Sequence, residues 1–412
     1  MAAAASALAA LTAPAVAGTG DKSPISETVV DSHAVRLVPE ITPGSDRPAG
    51  KPGSSRLSDP VENCTAPDEN GRGSCIEYNA ISDLPALPGS ESDQLLAAVA
   101  PPQWCENAQN RLLATRTQAC RIDGVIYRTW VERNGTRTQT GGVDIIIINY
   151  SYGSTSESRI AHQVDVTAPK GWGDVLKGSY TGNARDGYAC TKESGSFPAK
   201  PIQPLSKWHT GEAFFDSTAT ASGAVGDCAS GWGLTFSTPG YPPTHYVDPA
   251  IHEFRCDNNT AGRTKPGCVV PWYASALQYS KAVNPELASH VSRAQASGLP
   301  GATFEAPLTR TTNATVIRDN RTKACGDAPS IAGKSCDEYP VATSYQGLSA
   351  GGTRRSFDGC QLVHIPTQQG PAGVSVCMIN EGENDSQGGL NSGFYKSERV
   401  LDNDPFRVLV TP

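Results

Sequence analysis

The stretch Gly142-Val143-Asp144-Ile145-Ile146-Ile147-Ile148-Asn149-Tyr150 decides the reading of the first half of the chain. β-Branched residues lose side-chain freedom in a helix and pack well on a pleated surface, so this run predicts a buried strand. On either side, residues 122–133 (IDGVIYRTWVER) and 159–167 (RIAHQVDVT) alternate apolar and polar side chains, the period of a half-buried strand. From Cys64 to His252 the same signal recurs, broken by Gly, Asn and Pro, with short helices expected only at 94–99 and 107–114. The expectation is an antiparallel, sandwich-like β domain over residues 61–255.

Composition agrees. Of 412 residues, 38% are hydrophobic and 18% charged, with 41 Gly and 31 Pro. That is too apolar for a disordered chain and too turn-rich for a helical bundle. No run of 18 strongly apolar residues follows the N-terminal segment, so no membrane span is expected. The net charge of −7 excludes a chain-wide basic field for nucleic acid, so any such contact must be local.

The 12 cysteines contain no Cys-x-x-Cys pair, and neighbours in sequence fall into six compact pairs: 64/75, 105/120, 190/228, 256/268, 325/336 and 360/377. Neighbour pairing would close small loops, each worth about 3 kcal/mol in the loop-entropy account. An even count in this pattern points to structural disulfides and an oxidising, extracellular compartment. Residues 1–18 form an Ala-rich apolar stretch ending Ala15-Val16-Ala17, the small-residue pattern of a signal-peptidase site. Residues 19–60 read as a flexible linker or pro-segment.

A polar, turn-forming segment at 256–268 marks the expected boundary to a second domain, residues 256–412. Residues 284–296 (NPELASHVSRAQA) predict a helix, with Asn284 as N-cap, Pro285 in the first position and Leu287, Val291 and Ala294 on one face. Residues 361–365 (QLVHI) and 374–379 (VSVCMI) read as two strands joined by a turn, and 384–400 as a helix with a glycine-rich first turn.

Two oxygen-rich clusters flank that predicted hairpin. Cys336-Asp337-Glu338-Tyr339-Pro340 sets two carboxylates side by side: as the start of a helix, Asp337 would be its cap, and as chemistry, a general base or a ligand for a hard cation. In Glu381-Gly382-Glu383-Asn384-Asp385-Ser386-Gln387, Glu383 and Gln387 share a helix face and Asn384 offers a neutral carbonyl oxygen.

These motifs carry a resemblance. The stretches at 336–347 (CDEYPVATSYQG), 383–395 (ENDSQGGLNSGFY) and 399–410 (RVLDNDPFRVLV) resemble the NucA/NucB family of secreted bacterial deoxyribonucleases, with a weaker likeness back to about residue 266 that takes in the His290-Val291-Ser292 helix. The resemblance implies a small C-terminal ββα-metal type nuclease domain, hence an α+β protein overall. It implies a chain that cuts DNA with little sequence specificity, using a divalent ion, Mg²⁺ or Mn²⁺. Carried over by motif, Asp337 takes the general-base position with Glu338 as its adjacent acid. Asn384 takes the metal position, with Glu383 and Gln387 as accompanying polar residues.

Arg354 and Arg355, in the Gly-rich segment after the acidic motif, are candidate phosphate clamps, and His364 a candidate phosphate or metal contact. Residues 321–412 hold 8 Lys and Arg against 10 Asp and Glu, so a few salt-sensitive contacts are expected, not a broad basic face. On this reading residues from about 266 onward should fold and cut DNA alone. Two rivals stand beside it. Gly347-Leu348-Ser349-Ala350-Gly351 fits the nucleophile elbow of a serine hydrolase, although the apolar strand that motif needs does not precede it. Trp130, Trp172, Trp208, Trp232 and Tyr241 would suit a non-catalytic wall- or glycan-binding surface, or simply a core. His245 and His252, seven apart in a Pro-rich loop, read as structural.

Overall fold

The computed structural model describes residues 36–37, 63–89, 99–248 and 252–412. The signal-like segment, nearly all of the linker and most of the helix expected at 94–99 lie outside them. At 107–114 the expected helix is absent: a 3-10 turn, Gln103–Asn107, leads to a strand, Leu112–Ala114.

The β-branched run lies at the centre of three long antiparallel strands, Gln118–Arg133, Thr136–Ser154 and Glu157–Gly173. Asn134 and Gly135, both at positive φ, make the two-residue turn between the first two, as a tight hairpin requires. Pairing continues through His209–Ser217, Cys190–Pro201, Ser179–Tyr188, Val225–Ser237 and His252–Asp257 to Gly267–Val269. The result is one curled 14-stranded sheet, where a sandwich of two sheets was expected. It closes because long, twisted strands bring distant members face to face: Tyr127 meets Thr238 at 3.0 Å, and the Tyr246 hydroxyl donates to Asp123 at 2.9 Å. Trp130 and Trp232 are buried in this domain, so they cannot join Trp172 and Tyr241 in a binding surface.

Beyond Val269 the chain changes partners. Ser275–Ser280 pairs in parallel with the last strand, Pro405–Thr411, which also holds Leu308–Thr309. A second small sheet joins Lys334–Tyr339 to Val374–Asn380 antiparallel, with Arg354–Arg355 parallel on the other edge. Three helices pack around it: α1 (Pro285–Ala296), α2 (Ala314–Cys325) and α3 (Glu381–Ser397). All six disulfides join the neighbours in sequence.

Two expectations fail here. Residues 361–365 are not a strand, and the acidic motif starts no helix; it is itself the strand that pairs with Val374–Asn380. Helix α2 was not foreseen, since its 12 residues bury only Asn320 and Ala324.

The two halves share a buried knot of charge. Arg399, just past α3, is fully buried; its guanidinium donates to Thr155 O at 2.7 Å, to the Asp257 carboxylate and to Lys265 O, all in the β domain. From the other side, Arg116 and Arg255 donate to the Arg399 carbonyl at 2.9 and 2.5 Å and to the Asp404 carboxylate at 3.0 and 2.5 Å. A fragment beginning near residue 266 would leave Arg399 and Asp404 without these partners.

Candidate active site

Strand alternation sorts the acidic motif. Tyr339, Cys377 and Ile379 belong to the core that includes Leu287, Val291 and Tyr395, on the side of α1 and α3. Val374, Val376 and Met378 belong to the opposite core with Ala324, on the side of α2, and Cys336 packs there. Asp337 therefore faces α1 and α3, and Glu338 faces α2. The two carboxylates expected to work as a pair are on opposite faces of one sheet.

Asp337 is buried, and its Oδ2 lies 2.6 Å from His290 Nδ1 on α1. The other ring nitrogen, Nε2, lies 2.8 Å from Ser375 Oγ on the neighbouring strand. Asp337 Oδ1 is buried with no hydrogen-bond partner. His290 was missed as a site residue because it shares the apolar face of α1 with Leu287, Val291 and Ala294; its spacing was the available signal.

Helix α3 starts where its strand ends, and the Asn380 side chain caps it by accepting from Glu383 N at 3.2 Å. Asn384 donates Nδ2 to Cys336 O at 3.1 Å and to Ser335 Oγ at 2.6 Å. A carbonyl can only accept, so the amide nitrogen is fixed there and Oδ1 takes no part in these bonds. Glu383 turns to α1: one carboxylate oxygen accepts from Glu286 N at 2.8 Å and Leu287 N at 2.9 Å. It thus does the capping that Asn284, with no side-chain cap bond, was expected to do, and only its second oxygen remains for a metal. Gln387 lies beside the buried Tyr279 phenol, which donates to Asn391 at 2.6 Å. Burial and, after it, the Asp337 charge push the Tyr279 hydroxyl well up, so it stays protonated.

The remaining predicted residues lie elsewhere. Glu338, half-buried, is pushed up to about 7, first by desolvation and then by Asp337, with Arg321 opposing. Arg354 is paired with the Asp327 carboxylate and donates to Ala324 O at 3.1 Å, while His364 Nε2 is 3.9 Å from the same Asp327. Arg355 is not a phosphate clamp: it is fully buried and donates to Ser297 O, Gly370 O and Ala372 O, pinning the loop before the central strand. Ser349 sits in a 3-10 turn, Leu348–Ala350, and its N–H donates to Asn320 Oδ1 at 2.8 Å. No strand leads into that turn, so the geometry of a nucleophile elbow is missing.

Among the described residues, the one three-way convergence of His, Cys, Asp or Glu is Cys190, Cys228 and Cys256, all engaged in disulfides. Near the acidic motif the oxygens not used in the hydrogen bonds above are Asn384 Oδ1 and the second carboxylate oxygen of Glu383. This set fits a hard divalent ion that keeps most of its water shell. Residues 301–409 match the family described as Deoxyribonuclease NucA/NucB, in the region where the three motifs placed the resemblance. A search of curated proteins finds no match to the chain.

Proposed function

Taking the deoxyribonuclease domain of residues 301–409 as premise, we propose that this protein is a secreted, metal-dependent endonuclease that hydrolyses DNA phosphodiester bonds. The observation that carries the reading is that two side-chain oxygens, one on a strand and one on the helix that follows its neighbour, are left out of the hydrogen bonds around them. Asp337 Oδ1 on the strand has no partner, and Asn384 Oδ1 on the helix is freed by the bonds its amide nitrogen makes.

Asp337 is the general base. Its Oδ2 is held by His290, and Oδ1 accepts the proton of the attacking water. Asn384, with Glu383 beside it, would hold the ion, Mg²⁺ or Mn²⁺. When bound, such an ion offsets the charge that develops on the phosphate and the leaving oxygen. Glu338, on the other face, takes no part in proton transfer to the attacking water. Arg354 and His364 are held near Asp327 on the α2 side and give at most a peripheral phosphate contact. Six disulfides support the extracellular assignment.

The test is cleavage of supercoiled plasmid DNA by the purified full chain, with and without EDTA, alongside Asp337→Asn. EDTA should stop cleavage, and Asp337→Asn should lower the rate about 10²–10⁴-fold, the usual share of a general base. Cleavage unaffected by both treatments would refute the reading.

A further inference from the structure

We propose that His290 is the positioning residue of this site, holding Asp337 so that Oδ1, and not Oδ2, meets the attacking water. The inference rests on the reading of Asp337 as the base and adds a residue to it. A lone carboxylate on a strand rotates about its terminal bond and presents either oxygen. Here rotation is blocked from two sides. His290 Nδ1 holds Oδ2 at 2.6 Å, and Ser375 Oγ holds the far side of the imidazole at 2.8 Å. All three side chains are buried, so water does not compete for these bonds.

The tautomer follows from the partners. A carboxylate accepts, so a neutral ring carries its proton on Nδ1, and Nε2 then accepts from the Ser375 hydroxyl. Every donor and acceptor in the row is thereby used except Oδ1. The row spans three elements that are fixed independently. The Lys334–Tyr339 strand is tied to α2 by Cys325–Cys336. The Val374–Asn380 strand is tied to the preceding loop by Cys360–Cys377. Helix α1 has its first turn capped by Glu383. Ser375 does not act as a nucleophile in this row: it is completely buried, and its hydroxyl serves to orient the ring.

The test compares His290→Leu, His290→Asn, Ser375→Ala and Asp337→Asn in the full chain, measuring kcat and KM on plasmid DNA together with melting temperature. A misplaced base loses rate without losing substrate, so His290→Leu should lower kcat about 100-fold at unchanged KM. His290→Asn restores an amide N–H near the place of Nδ1 and should recover about tenfold of that loss. Ser375→Ala should lower kcat roughly 3- to 10-fold, because the ring keeps its bond to Asp337 but loses its second hold. A purely structural His290 would give variants that melt earlier but turn over normally per folded molecule. Wild-type kcat in folded His290→Leu, or no advantage of His290→Asn over it, overturns the proposal while Asp337→Asn is inactive. If His290→Leu does not fold, wild-type kcat in Ser375→Ala overturns it. An active Asp337→Asn overturns the base assignment and this proposal with it.

Discussion

Replacing Arg399 by Met tests whether the β domain is part of the nuclease or merely attached to it. The side chain volume is roughly kept, but the guanidinium loses the Thr155 carbonyl, the Asp257 carboxylate and the Lys265 carbonyl. Asp257 is nearly completely buried, and the cation left to it is Arg255, whose Nε is 3.8 Å away. Breaking a buried pair by removing one partner costs about 3–5 kcal/mol, most of it the uncompensated charge left behind. In a body of this size about 4 kcal/mol corresponds to a fall in Tm of roughly 5–8 °C. Differential scanning calorimetry reads the shift, and adding Asp257→Asn should return part of it by removing the orphaned carboxylate. Calorimetry should also show one transition for both halves before and after the change. A Tm within about 1 °C of wild type, or a fragment of residues 266–412 that folds as stably as the full chain, would refute the reasoning.

Three further outcomes are expected. Asn384→Ala should raise the Mg²⁺ or Mn²⁺ concentration for half-maximal cleavage about tenfold or more, with activity partly regained at high metal; an unchanged metal titration removes Asn384 from the site. Glu338 holds its proton up to about 7 in the folded state, against 4.5 unfolded, and Asp165, buried, up to about 6 against 3.8. These two groups therefore bind more protons in the folded chain across this window, so their own contribution to stability is greatest at its acid end and falls as pH rises to 7. Buried His162, pushed down to about 3 by desolvation, works in the opposite direction. For the half-exposed Glu338 this amounts to about 1–2 kcal/mol after allowance for solvent screening, and Glu338→Gln should flatten that part of a urea-midpoint profile. Ser349→Ala should cleave DNA within about twofold of wild type, since no elbow presents the hydroxyl; an inactive variant would reopen the hydrolase reading.

Much of the architecture is legible in local chemistry. The β-branched run, the alternating stretches, the Asn284-Pro285 start of α1 and the spacing of cysteines each follow from rules that act within a few residues. The failures are of another kind. Residues 361–365 have the alternation of a strand, but the central strand already pairs with Lys334–Tyr339, and Val363 is left wholly exposed. Asp337 and Pro340 suit a helix start as well as a strand end, and only the ladder decides between them. Arg354 and Arg355 look alike in sequence, yet alternation sends one to an exposed ion pair and the other into a cage of carbonyls. The same alternation separates Asp337 from Glu338. His290 and Ser375 were hidden because a site made across three elements leaves no contiguous motif.

The two disulfides that flank Asp337 have a consequence for how firmly it is mounted. Cys336 precedes Asp337 on its strand, and Cys377 is its partner across the ladder. One bridge therefore fastens the residue before the base and the other the residue opposite it. Without them, α2 and the loop carrying Cys360 would be joined to the strands through the backbone alone. On the function proposed above, reducing these two bridges should loosen the mount of the base without touching any residue that does chemistry.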